Sequence, residues 1–128
     1  MSRFVKCGEL RRTKGNGFEP PLLLAVKNGT LRGDITVTRA MVKDGRLNFP
    51  VEIKEVTGNF YCFENQLTSL KGAPQKVGGD FWCQDNKLVS LKGAPQKVGG
   101  NFVCYNNSKQ FTEEEVRAVC DVKGLVVE

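Results

Sequence analysis

The sequence predicts a mainly β protein, a parallel-strand solenoid of about 3–4 coils with an N-terminal cap and a short C-terminal capping helix. Three observations carry that prediction. The segment LKGAPQKVGGD at residues 70–80 returns as LKGAPQKVGGN at residues 91–101. Phe60, Phe81 and Phe102 stand 21 residues apart, as do Cys62, Cys83 and Cys104, and Asn65, Asn86 and Asn107. Each unit also places Phe and Cys two residues apart, so both fall on one face of a strand, and closes on Gly, Pro and Gly-Gly corners. A single coil of this size cannot cover its own apolar face, whereas stacked coils cover one another.

Taken in order, residues 1–32 read as a basic cap segment. Arg3, Lys6, Arg11, Arg12, Lys14, Lys27 and Arg32 oppose only Glu9 and Glu19, which equals the +5 net charge of the whole 128-residue chain. Gly15-Asn16-Gly17 signals a turn, Phe4 to Cys7 a short strand, and Leu22 to Val26 a buried strand behind Pro20-Pro21. Residues 33–57 read as a degenerate coil, because Gly33-Asp34-Ile35-Thr36-Val37 echoes Gly79-Asp80-Phe81-Trp82-Cys83. The step from Ile35 to Phe60 is 25 residues rather than 21, which puts an insertion at Lys43-Asp44-Gly45-Arg46, where Asp-Gly favours a hairpin.

Residues 58–110 hold the regular repeats. Phe81, Cys83, Leu88, Leu91 and Val98, with their equivalents, are expected to point inward as apolar ladders. In residues 111–128 the repeat breaks. Thr112-Glu113-Glu114-Glu115 is a capping-box signal, and three acids in the first turn suit the helix dipole. Val116, Val119 and Cys120 are expected on the buried face of this helix, Lys123-Gly124 at its end, and Leu125-Val126-Val127 as a last strand. The whole chain is expected to form one domain.

Phe81-x-Cys83-x-x-Asn86-x-Leu88-x-x-Leu91 resembles the leucine-rich repeat, with Phe and Cys where Leu is usual. The short unit with its Gly-Ala-Pro back resembles repeat proteins encoded by tailed bacteriophages and bacteria. The resemblance covers residues 56–107. It implies a parallel-strand stack that binds other macromolecules, and it gives Asn65, Asn86 and Asn107 hydrogen bonds to backbone at each corner.

The chemistry that the composition excludes narrows the function. There is no histidine to serve as a general base or metal ligand, no Cys-x-x-Cys pair, and no Gly-Lys-Ser/Thr phosphate loop. No catalytic residue, metal or cofactor is expected, and the protein reads as a non-enzyme. Of the five cysteines, the stacked Cys62, Cys83 and Cys104 read as small buried hydrophobes, with a metal-binding sulfur ladder as the lesser alternative, while Cys7 and Cys120 lie outside the ladder; an odd number without ligand spacing suits neither a disulfide framework nor zinc. No apolar run is long enough to cross a membrane. The opening Met1-Ser2-Arg3-Phe4 lacks the apolar core of a signal peptide, so the expected location is the cytoplasm, that of a host cell if the chain is phage-encoded.

Binding is the better-supported class. If Phe60 and Cys62 face in, parity turns Tyr61 and Phe63 out, then Trp82 and Gln84, then Val103 and Tyr105. An exposed aromatic sheet face of this kind predicts a protein partner, with Trp82 at its centre. The phage resemblance implies a host or competing-element protein that is inhibited, a defence protein among the candidates. The alternative is a nucleic-acid partner held by aromatic stacking and the basic residues Arg3, Lys6, Arg11, Arg12 and Lys14. Stacked Lys71 and Lys92, and Lys76 and Lys97, would add to that tract or simply keep the surface soluble. A third alternative is a self-associating structural protein.

Overall fold

The computed structural model describes residues 25–128. The expected strand at Phe4 to Cys7, most of the one at Leu22 to Val26, and the basic residues Arg3 to Lys14 lie outside the described residues. The protein is mainly β, built from stacked parallel strands with one C-terminal helix among the described residues.

The first strands of the described residues, β1 (Val26–Lys27) and β2 (Thr30–Leu31), form a hairpin around Asn28-Gly29, whose φ values are 54° and 80°. Both residues lie in the left-handed region, as a two-residue hairpin of matching twist requires. After β3 (Ile35–Thr36) and a short 3₁₀ turn, a second hairpin joins β4 (Val42–Lys43) to β5 (Arg46–Leu47) through Asp44-Gly45. That hairpin is the insertion that the 25-residue step demanded. The remaining strands are β6 (Glu55–Val56), β7 (Phe60–Tyr61), β8 (Lys76–Val77), β9 (Phe81–Trp82), β10 (Lys97–Val98) and β11 (Phe102–Val103). Helix α1 (Glu113–Val119) follows, then β12 (Asp121–Val122) and β13 (Val126–Val127).

Two parallel sheets result. One runs β13-β11-β9-β7-β3 and the other β12-β10-β8-β6-β2, with β1 added antiparallel at its far edge. Five rungs therefore stack, against the expected three to four. The sequence reading reached half of the first and last rungs: Ile35-Thr36 was read within a degenerate coil and Leu125-Val126-Val127 as a last strand, but their companions Thr30–Leu31 and Asp121–Val122 were not. The first rung is Thr30–Leu31 with Ile35–Thr36, which pairs in register with Glu55–Val56 and Phe60–Tyr61. The last rung is Asp121–Val122 with Val126–Val127, where α1 stands in place of the Leu-x-x-Leu segment. The Lys-Val strand was also unforeseen. Pro74 and Pro95 interrupt pairing, but it resumes immediately, Lys76 opposite Lys97 and Val77 opposite Val98.

The inward ladders form as parity dictates. Phe60, Phe81 and Phe102 are fully buried, with ring centroids 5.4 and 5.1 Å apart. Cys62, Cys83 and Cys104 run beside them, and Leu67 with Leu88, Leu70 with Leu91, and Val56, Val77 and Val98 fill the rest. Each large side chain contributes about 1.5–3 kcal/mol by leaving water. Gly78 and Gly99 mark the corner between the two sheets. A Cβ on Gly99 would strike the carbonyl oxygen of Gly78 in the rung beside it, so close approach demands glycine there.

Two amide ladders tie the corners. Asn86 Oδ1 accepts from the N–H groups of Asn65 and Leu67, both at 2.9 Å, while its Nδ2 donates to the carbonyls of Cys62, Cys83 and Gln84. Asn107 and Asn65 make fewer bonds of the same kind. The second ladder had no forecast. Asp34, Asn59, Asp80 and Asn101 each accept, through Oδ1, the backbone N–H one rung on: that of Asn59, Asp80, Asn101 and Leu125.

The helix begins as its sequence specifies. Thr112 Oγ1 accepts from Glu115 N–H at 3.2 Å, and Glu115 returns the bond to Thr112 N–H at 3.0 Å. Three expectations about this region need correction. Val119 is 50% exposed, because α1 turns only Val116 fully into the core. Gly124 does not end the helix, which stops at the Cys120 cap; it is instead the corner equivalent to Gly100, where an added Cβ would strike that residue's carbonyl oxygen. The segment after α1 is two strands, not one. Arg117 then reaches from α1 to donate to Val122 O at 2.7 Å and Gly124 O at 3.0 Å. At the equivalent Val98 and Gly100, those acceptors are met by backbone N–H groups of Lys123 and Gly124.

Candidate protein-binding face

The outer face of the five-stranded sheet is fixed by backbone register. Thr36, Tyr61, Trp82, Val103 and Val127 stand in one column, each opposite the next. The second column, Phe63, Gln84 and Tyr105, continues the same ladder, with Glu64 N–H donating to Gln84 O and Asp85 N–H to Tyr105 O. Parity thus brings together the six residues that the sequence singled out.

Three of them form an aromatic cluster. The ring centroids of Tyr61 and Trp82 are 4.9 Å apart at 72°, those of Tyr61 and Phe63 are 6.4 Å apart at 76°, and those of Phe63 and Trp82 are 6.0 Å apart. Edge-to-face contact of this kind holds each ring by its neighbours. Tyr61 is also fixed by its hydroxyl, which accepts from Asn59 Nδ2 at 2.8 Å.

The face is less exposed than its parity suggested. Tyr61, Phe63 and Trp82 are half-buried, and Tyr105, at 43%, is the most open aromatic of the six. Val103 is only 9% exposed: it is a short side chain in register between Trp82 and Val127. Gln84 is 6% exposed, set in the ladder between Phe63 and Tyr105 and two residues from the indole. Two polar atoms on this face, Trp82 Nε1 and Gln84 Oε1, are buried without a hydrogen-bond partner among the described residues. An unmet buried donor or acceptor costs about 1–3 kcal/mol, and native proteins contain few.

Charge sets the rims. The two columns contain no ionisable cation, whereas Asp34 and Asp80 stand immediately before β3 and β9, and Glu64 and Asp85 follow the strand segments Phe60–Phe63 and Phe81–Gln84. On the other sheet, the Lys76–Lys97 pair is flanked in register by Glu55 and Asp121, so that column mixes charge. The signal was present in the sequence, since Glu55-Val56-Thr57-Gly58 and Asp121-Val122-Lys123-Gly124 both echo Lys76-Val77-Gly78-Gly79.

The thiols are arranged for packing. Burial raises the Cys62 thiol far above its ordinary range, and burial and then its neighbours Cys62 and Cys104 do the same for Cys83. Cys104 and Cys120 are each pushed up to about 11, chiefly by burial. Such thiols stay protonated at neutral pH, and the thiol is a poor ligand and nucleophile. Among the described residues, no three His, Cys, Asp or Glu side chains converge as a metal site, and no helix is long and apolar enough to cross a membrane.

No protein-family model, curated protein or solved structure matches the chain significantly.

Proposed function

We propose that the chain is a leucine-rich-repeat-like solenoid acting as a non-catalytic protein-binding module, with the Tyr61–Phe63–Trp82 face as its docking surface. The single observation that carries this is the pair of unmet polar atoms, Trp82 Nε1 and Gln84 Oε1, set in an aromatic cluster on a sheet's outer face. A face with only a folding role gains nothing from leaving a donor and an acceptor unpaired. Packed aromatic rings with limited side-chain freedom are the side chains in which binding energy concentrates. The likeness of the repeat to phage-encoded proteins favours a host or competing-element protein as partner, blocked by binding.

The nucleic-acid alternative has weaker support. Among the described residues the aromatic face carries no cation, its rims are acidic, and the Lys76–Lys97 pair is flanked by Glu55 and Asp121. Phosphate binding needs the opposite sign.

The test is Trp82→Ala, with binding measured by affinity capture from the native host and mass spectrometry, and folding by thermal melting. Loss of the captured partner with a melting temperature within a few degrees of the parent supports the reading. Retained capture places the docking surface elsewhere, and unfolding makes the ring a structural element instead.

A further inference from the structure

The unmet atoms and the rims together describe what the partner looks like, given that the face binds protein. Trp82 and Gln84 are two residues apart on one side of β9 and its extension, about 7 Å along the strand. The first offers an N–H and the second a carbonyl oxygen. An extended chain presents peptide C=O and N–H groups to one side at the same two-residue interval. Both atoms are buried, so a partner's peptide groups reach them only as the Trp82 and Gln84 side chains turn outward.

The apolar strip between the rims is built for aliphatic contact: Tyr61, Phe63 and Trp82 offer rings, and Tyr105 extends the surface past Gln84. Asp80 stands at one border of the strip beside Trp82, and Asp85 at the other beside Gln84. Asp80 spends Oδ1 on the Asn101 N–H, and Asp85 Oδ1 receives Asn106 Nδ2 at 2.6 Å, which leaves each a second carboxylate oxygen. Glu64 adds a further exposed carboxylate to the second border. Lysine and arginine suit such a strip, because their stems lie on apolar surface while the charged end reaches a carboxylate.

We propose that this face takes one extended segment of a partner protein, in which aliphatic residues alternate with lysine or arginine. Its peptide groups pair with Trp82 Nε1 and Gln84 Oε1, and its cations reach Asp80 and Asp85. The proposal rests on the protein-binding reading and adds the partner's chemistry to it.

The chain's single tryptophan lies in the site, so its emission reports occupancy directly. Short capped peptides of alternating valine and lysine, and of valine and glutamate, serve as probes, titrated into the full chain to millimolar concentration beside a single-stranded oligouridylate. The lysine peptide is expected to shift Trp82 emission and saturate, and the glutamate peptide and the RNA to leave it unchanged. Asp80→Asn with Asp85→Asn should weaken the lysine peptide by about tenfold or more and flatten its salt dependence. That double variant is conservative by the repeat's own precedent, because Asn101 and Asn106 hold the equivalent positions.

Gln84→Leu separates the peptide-group contact from a structural role. It removes an orphaned acceptor, so it should hold or raise the melting temperature while lowering peptide affinity about tenfold. Several results would overturn the proposal: equal response to both peptides, saturation by the RNA, full affinity in the Asp80/Asp85 variant, or a Gln84→Leu protein that melts lower and binds as before. A shift in emission on reversing Arg11 and Arg12 to Glu, with no peptide added, would also overturn it, by making the chain's own basic segment the occupant. If only the lysine peptide fails while Trp82→Ala still abolishes capture from the host, the protein-binding reading stands and a basic, extended partner segment is ruled out.

Discussion

Replacing the corner asparagines one at a time should give three different losses of stability, although the sequence writes the three alike. Asn86→Ala strips the acceptor from the N–H groups of Asn65 and Leu67 and the donor from three carbonyls. The site is 7% exposed, so water does not readily replace the amide. Two unmet buried N–H groups at roughly 1–3 kcal/mol each, partly relieved by local relaxation, give a loss of about 3 kcal/mol. For a domain of this size that corresponds to a melting-temperature drop of about 10 °C. Asn107→Ala orphans one N–H, that of Leu88 at 3.1 Å, and should cost roughly half as much. Asn65 donates to Val37 O and Phe63 O, and its oxygen accepts no backbone N–H among the described residues, so its removal should cost least, about 1 kcal/mol. Urea unfolding followed by circular dichroism measures all three, with an unchanged denaturant slope confirming a native-state effect. Equal losses at the three positions, or a loss under about 1 kcal/mol at Asn86, would refute the idea that these amides hold the rungs by satisfying backbone groups.

The remaining predictions concern the thiol ladder, the glycine corner and the last rung. Cys83→Ser puts a hydroxyl among fully buried apolar side chains and should cost about 1–3 kcal/mol in the same urea assay. The buried thiols prefer the neutral form, so their contribution is complete below their ordinary value of 9.0 and declines as pH rises from there toward about 11 and beyond. Stability measured across that range should fall, and should fall less in Cys83→Ala. Gly99→Ala should destabilise by about 1–3 kcal/mol, since the new methyl meets a backbone carbonyl rather than a movable side chain. Arg117→Ala should speed amide exchange in β12 while leaving β8 and β10 protected; unchanged exchange would mean that water serves Val122 O and Gly124 O as well as the guanidinium does.

A 21-residue period with near-verbatim copies determined the inward ladders, because alternation along a strand is local and identical units stack in register. The Asp44-Gly45 hairpin and the Thr112 capping box were equally legible, since a turn type and a helix start depend on a few adjacent residues. The six outer-face residues were named correctly as neighbours for the same reason. Which of them solvent reaches was decided only by the assembled stack: Gln84 lies between Phe63 and Tyr105 and Val103 between Trp82 and Val127, and shading depends on what stands one rung away. The second sheet was harder to read, and with it the Asp121–Val122 half of the last rung, whose Leu125–Val127 half was legible. Lys76-Val77 is too short to register as a strand until Lys97-Val98 lies beside it, and the final step of 24 residues, interrupted by α1, matches no period that can be read along the chain. A two-residue strand has almost no propensity of its own; it exists because the rung beside it supplies the hydrogen bonds, and that rung is remote in sequence.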